Sequence, residues 1–235
     1  MTDFPVWRAV MDKAALKAHQ AWLASGKAGP GRLVLEDRNL AGAQTAQMFP
    51  GARFVRCDLS KASFPIFKLD ELELVACKLD DANLQQTHLE RAIIDSTTFT
   101  RANLRVADFS HATIRGGSFA GADLERAFFV GATLEGVDFA GARLVDAVFD
   151  DARLIDCNLR GCDLSRADRA LDLARTTRTR FERCDLRETR FDGRRLDGAV
   201  FDGCQMSGIH GTPEIRGPYA IESPAGAAPP TWPTS

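Results

Sequence analysis

Between residues 121 and 149 the chain reads GADLERAFFVGATLEGVDFAGARLVDAVF, and a large apolar residue returns at every fifth position: Leu124, Phe129, Leu134, Phe139, Leu144 and Phe149. An α-helix repeats its faces every 3.6 residues and a strand every 2.0, so neither keeps one residue in five on a single face for so long. The backbone must turn a corner at each repeat. From Phe54 to Leu164 in steps of five, all 23 positions are Phe, Leu or Ile. Two residues before these centres the side chain is mostly small, as in Ala52, Cys57, Ala62, Ala82, Ala112, Ala132, Cys157 and Cys162. Asp, Arg, Glu and Gly fill the remaining positions, which gives each repeat an inward pair and an outward trio. A fixed short period of this kind decides the whole architecture.

The stretches ANLRVADFSHATI and GADLERAFFVGATL resemble the pentapeptide repeat family, whose motif is A(D/N)LXX with a central Leu or Phe; the likeness runs from about residue 33 to 206. The resemblance implies an all-β fold, a right-handed four-sided parallel β-helix with one pentapeptide per face and about 20 residues per coil. About eight coils at the ordinary strand spacing of ~4.8 Å make a rod roughly 38 Å long. Residues 20 apart then stack. Phe99, Phe119 and Phe139 form one ladder, Phe109, Phe129 and Phe149 the ladder opposite, and Leu or Ile line the two faces between. The six cysteines occupy the small inward position, with no C-x-x-C spacing or His partner, and read as buried free thiols rather than metal ligands.

A solenoid exposes its core at both ends, so the terminal segments are expected to cap it. Residues 1–30 form the first unit: in 6–25 Trp7, Val10, Met11, Ala14, Ala18, Trp22 and Leu23 fall at helical spacing before Gly26. A cap over the first coil is the main reading of this helix, and a partner-binding helix the other. The solenoid occupies 31–206, with breaks near 41–49, where the phase slips by one residue before Phe49, and at 165–180. In the second break seventeen residues take the space of fifteen between Leu164 and Phe181. It is expected to bulge or form a turn of helix, carrying Arg166, Arg169, Arg175, Arg178 and Arg180 outward as a binding loop or as solvated surface. Phe67 and Leu72 stand where a small residue is usual, which predicts an overfilled, distorted coil near 64–74. Residues 207–235 make a closing segment and a Pro-rich tail.

No nucleophile and base pair, phosphate-cradling glycine loop or zinc spacing is present, so the chain reads as non-enzymatic, with no cofactor and no metal. Thirty basic residues against 32 acidic ones give a net charge of −2, which argues against direct nucleic-acid binding. The opening MTDFPVWRAV lacks a signal-peptide pattern and no apolar run reaches membrane-span length; a cytoplasmic protein that avoids membranes is expected.

Recognition of another protein is then the natural class of function. The first reading is a scaffold or adaptor working through a flat face. Phe128, Val130 and Val148 lie at outward positions of one face with Ile155 around the corner, a patch for a protein partner or for a homodimer. Lateral packing beneath a cap or loop would also account for it. The alternative comes from the resemblance: some family members imitate DNA, occupy the DNA saddle of gyrase or topoisomerase IV and protect it from quinolones or natural poisons. Rows of carboxylates are needed for that. Residues 121–163 carry nine acids against four arginines, and Asp146, Asp150, Asp151 and Asp156 are the candidates. Against it, the outward column Asn83, Asn103, Asp123, Arg143, Asp163 alternates in charge, and 164–196 hold ten arginines against six acids.

Overall fold

The computed structural model describes residues 13–44, 49–165, 176, 178–213 and the backbone of 220–222. Its ten strands are β1 Val34–Glu36, β2 Arg53–Val55, β3 Glu73–Val75, β4 Ile93–Asp95, β5 Thr113–Arg115, β6 Thr133–Glu135, β7 Arg153–Ile155, β8 Arg180–Glu182, β9 Val200–Asp202 and β10 Ala220–Glu222. They form one sheet in which each strand pairs in parallel with the next in sequence. Direct parallel neighbours require a full circuit of chain between them. β1 to β9 therefore bound eight turns of a solenoid, and β10 adds a strand beyond them. Isolated parallel bridges such as Lys78 to Thr98, Asn83 to Asn103 and Asp108 to Phe128 hold the other three sides. The molecule is a four-sided parallel β-solenoid. Its faces, in chain order, have the centres Ile94 and Ile114 (first), Phe99 and Phe119 (second), Leu104 and Leu124 (third), and Phe109 and Phe129 (fourth).

The five-residue period works because the second residue after a centre turns the corner. Ala127 N donates to Leu124 O at 3.0 Å, and Arg126 between them has φ 58°. A type II turn needs positive φ at its third residue. Glycine meets this without strain at Gly131 and Gly141, whereas Arg101, His111 and Asp151 adopt it with a side chain. The inward pair fills the tube. Phe99, Phe119 and Phe139 stack at 4.7 and 5.2 Å, Phe109, Phe129 and Phe149 at 5.1 and 4.9 Å, and rings of the two ladders meet edge to face at 5.8 and 6.1 Å. All six rings are buried.

The cysteines are free thiols. Five of them share one inward column, where Sγ donates to a carbonyl of the coil before: Cys57 to Leu35 O at 3.4 Å, Cys77 to Phe54 O at 3.4 Å and Cys204 to Phe181 O at 3.3 Å. Cys162, in another column, donates to Phe139 O at 2.9 Å, and burial pushes its thiol up to about 12.

The first described helix, α1 Lys13–Ala24, lies over the first coil. Leu16 packs on the core, and buried His19 accepts a hydrogen bond from Leu33 N at its Nδ1, 3.0 Å away. Gly26, at φ 74°, ends α1: its N–H bonds Leu23 O at 3.1 Å while Lys27 N bonds Trp22 O at 2.9 Å, a Schellman closure. Trp7, Val10 and Met11 lie outside the described residues.

The one-residue slip before Phe49 is present: Leu35 pairs with Phe54, one residue short of a regular circuit. Three other expectations are revised. Leu154 pairs with Phe181, seven residues beyond a twenty-residue circuit, where an excess of two was expected. The reason is Thr176. Its N–H donates to Arg195 O at 2.9 Å as that of Phe129 does to Val148 O at 2.8 Å, so a polar residue holds a centre and hides the step. Near residues 64–74 the tube is underfilled rather than overfilled: leucines at 59, 69, 72, 74, 79, 84 and 89 line a cavity of about 20 Å³, and Phe67 is only partly buried. Past residue 206 the coil continues, with Ile209 buried and His210 N bonded to Thr189 O at 2.9 Å.

Candidate protein-binding surface

Phe128 and Val130 flank the buried centre Phe129 on the fourth face and are both half-buried. Val148 stacks directly on Phe128, as the twenty-residue circuit requires, yet it is only 1% exposed. Val145 and Asp146 of the same coil are buried too, although their counterparts one coil earlier, Glu125 and Arg126, are half-exposed. Their burial closes the fourth face to solvent at this coil. Val148 and Asp146 are therefore corrected from surface candidates to buried groups. Ile155 is half-buried but belongs to the first face, and the structure does not join it to Phe128.

The accessible apolar surface lies on the other side of Phe128. Ile66, Gln86, Thr87, His88, Val106, Asp108 and Phe128 line a shallow groove of about 330 Å³ along the corner between the third and fourth faces. Ile66 is 65% exposed. Both Ile66 and Val106 hold corner positions at positive φ, 65° and 58°. A β-branched side chain in that region costs of order 1–2 kcal/mol, so this corner carries backbone strain and exposed apolar surface together. Sequence reasoning missed it. The signal was there: β-branched residues stand in a corner column where Gly, Asp or Arg is usual.

Most other outward charges are consumed by their neighbours. Arg178 grips Asp151 through two hydrogen bonds of 2.6 Å, and Arg183 holds Asp156 at 2.6 and 2.7 Å. These bonds keep both carboxyls below the usual carboxylate range. Asp37 with Arg56 and Asp81 with Arg101 repeat the arrangement at other corners. Arg105 and Arg143 close on Glu125 from the coils on either side. Arg178 and Arg180 are thus parts of the resumed solenoid, a corner residue and the first residue of β8, and not of a loop. Arg166, Arg169 and Arg175 lie outside the described residues.

One buried charge gave no warning in the repeat pattern. Arg194 stands at a small inward position and is fully buried. Its Nε donates to Thr176 Oγ1 at 2.6 Å, and its guanidinium lies 5.4 Å from the centre of the Phe149 ring. Thr176 at a centre and Arg194 at a small position exchange the usual volumes. Burial lowers the Arg194 pKa to about 9, against the opposing fields of Asp150 and Asp146. Asp150 is half-buried and contributes to this internal balance, so it is a poor surface recognition group.

A four-sided solenoid of stacked five-residue repeats, with a small residue and a Leu or Phe inward on every side, defines a class of repeat protein. Two family models, both described as pentapeptide repeats, match 73–110, 134–168 and 177–210 in eight copies and 99–143 in nine. The chain belongs to the pentapeptide repeat family. No curated protein matches it. Among solved structures it is similar to HetL, a pentapeptide repeat protein involved in heterocyst differentiation regulation from Nostoc sp. strain PCC 7120, at 20% identity over 88% of this chain and 96% of that one, with a TM-score of 0.32. Trypsin-treated QnrB1, a plasmid-mediated fluoroquinolone resistance protein, is 18% identical over 81% of this chain and 90% of its own, with a TM-score of 0.26. Among the described residues, no helix is long and apolar enough to cross a membrane.

Proposed function

We propose that the chain is a non-catalytic protein-binding solenoid, a scaffold or adaptor, that docks its partner on the fourth face at the groove between Ile66 and Phe128. The observation that carries this is the coincidence of Ile66, 65% exposed, with positive φ at both Ile66 and Val106 beside one groove. Exposed apolar groups on a rigid wall gain by being covered. Asp108 and His88 edge the groove, and Asp70 and Glu90 lie farther along the same face, which favours a partner segment presenting an apolar side chain beside a basic one.

Topoisomerase protection by DNA mimicry has less support, because Asp151 and Asp156 are each neutralised by an arginine and Asp146 is buried. The test is site-specific photocrosslinking in the native host from position 106, with position 115 on the first face as control. A single partner captured from 106, lost on Ile66→Lys and absent from 115, supports the reading, and a self-crosslink would make that partner a second copy. Rescue of poisoned gyrase by a chain carrying Ile66→Lys, abolished by reversing Asp151 and Asp156, would replace it with the mimic.

A further inference from the structure

The geometry points to a binding site for a divalent transition-metal ion of the zinc class on the fourth face, formed by Asp70, His88 and Glu90. Leu69 and Leu89 are inward centres one coil apart; Asp70 and Glu90 each follow a centre by one residue and His88 precedes Leu89 by one. Their side chains leave the wall together. One ligand atom from each residue lies within 4.8 Å of the other two.

An independent observation marks the place as short of a cation. Asp70 Oδ1 is shielded from solvent and has no hydrogen-bond partner among the described residues. A carboxylate oxygen withdrawn from water without a donor is costly, and Glu90 stacked in the same column adds like-charge repulsion. Where carboxylates crowd elsewhere on this solenoid, an arginine bonds them, as Arg178 does Asp151 and Arg101 does Asp81. Here the basic contact is Arg91 Nη1 at 4.0 Å from Glu90 Oε2.

An imidazole with two carboxylates suits an ion that accepts nitrogen and oxygen donors, and the two negative charges balance a dication. Zinc held at about 2.0–2.2 Å from each ligand brings the donor atoms to roughly 3.0–3.5 Å of one another. Side-chain rotation closes that gap while the solenoid wall stays fixed. The ligands come from one side, so the remaining coordination positions face outward. His88 also edges the docking groove, but the metal site rests on the ligand cluster and the unpaired Asp70 oxygen and does not depend on the docking proposal.

Chelator-stripped full-length protein would be titrated with Zn²⁺ by calorimetry and with Co²⁺ by visible absorption. One ion per chain is expected, with a cobalt spectrum of oxygen and nitrogen ligation free of a thiolate charge-transfer band. Asp70→Asn and His88→Ala should each weaken binding by at least about tenfold, with circular dichroism and Tm in chelator unchanged, whereas His111→Ala and His210→Ala should leave it intact. Binding that survives both Asp70→Asn and His88→Ala, a thiolate band assigning the ion to cysteine, or no saturable binding would each overturn the assignment.

Discussion

Replacing Phe119 by alanine removes the middle ring of a three-ring stack. The side chain is fully buried and touches Phe99 at 4.7 Å, Phe139 at 5.2 Å and, edge to face, Phe109 at 5.8 Å. The coils above and below are tied by backbone bonds and cannot collapse into the gap, so the loss should be about 3–5 kcal/mol. Each kcal/mol moves Tm by about 2–4 °C in a chain of this size, which makes the fall roughly 6–20 °C. Phe119→Leu separates ring stacking from volume. Leu79 and Leu159 occupy the same column, so the backbone accepts leucine there. Three ring contacts, each worth about 0.5–1.5 kcal/mol beyond burial, give way to ordinary ones, and about 1.5–4.5 kcal/mol should be lost. The control is Arg115→Ala, whose partner Glu135 is 3.6 Å away with both side chains more than half exposed; a change within about 0.5 kcal/mol is expected. Urea unfolding with unchanged m-values reads all three. Equal losses for Phe119→Ala and Arg115→Ala would refute the inward and outward assignment.

A Cβ on Gly117 would lie 2.0 Å from Thr97 O at a φ of 79°, whereas one on Gly136 would meet nothing within 4 Å. Gly117→Ala should therefore cost about 3 kcal/mol or more by wedging two coils apart, and Gly136→Ala only the backbone strain of about 1–2 kcal/mol; thermal melts of equal depth would contradict this. Of the six thiols only Cys204 is partly exposed, so a colourimetric thiol reagent should label that one rapidly in the native protein and the other five on unfolding. Two or more fast native thiols would argue against the stack. Burial, chiefly, holds the pKa of His19 below its ordinary 6.5, and its Nδ1 must stay unprotonated to accept the Leu33 N–H. A depressed folded pKa gives stability that is complete above pH 6.5 and lost as pH falls towards the folded pKa. Wild type should lose Tm between about pH 7 and 5 more steeply than His19→Gln, and parallel slopes would remove His19 as the cause.

The apolar period was enough to place the ladders, because only a stack of coils puts Phe99, Phe119 and Phe139 on one wall, and it named the cysteine column for the same reason. It failed wherever a polar residue took an apolar role. Thr176 at a centre broke the count, and buried Arg194 at a small position went into a plain tally of arginines. The patch at Val148 was misplaced because period gives the direction of a side chain from the coil axis but not what lies outside the coil. Ile66 was legible in principle: it breaks the corner column, and the cost of positive φ makes such a break informative.

The insertion after Ser165 also decides what the acidic residues can do. Columns on this solenoid join side chains one circuit apart, so a charge is free or spent according to what the next circuit brings above it. With a regular circuit, Leu171 and Thr176 would stand over Asp151 and Asp156 and leave both carboxylates open. Seven extra residues bring Arg178 and Arg183 there instead, and place Glu182 against Arg153. A count of acids along residues 121–163 therefore overstates the negative surface, since the register of the following coil cancels it. The same reasoning turns recognition towards the coils before the insertion, where Ile66, Val106 and Phe128 line an open groove and where Asp70 and Glu90 stack one coil apart.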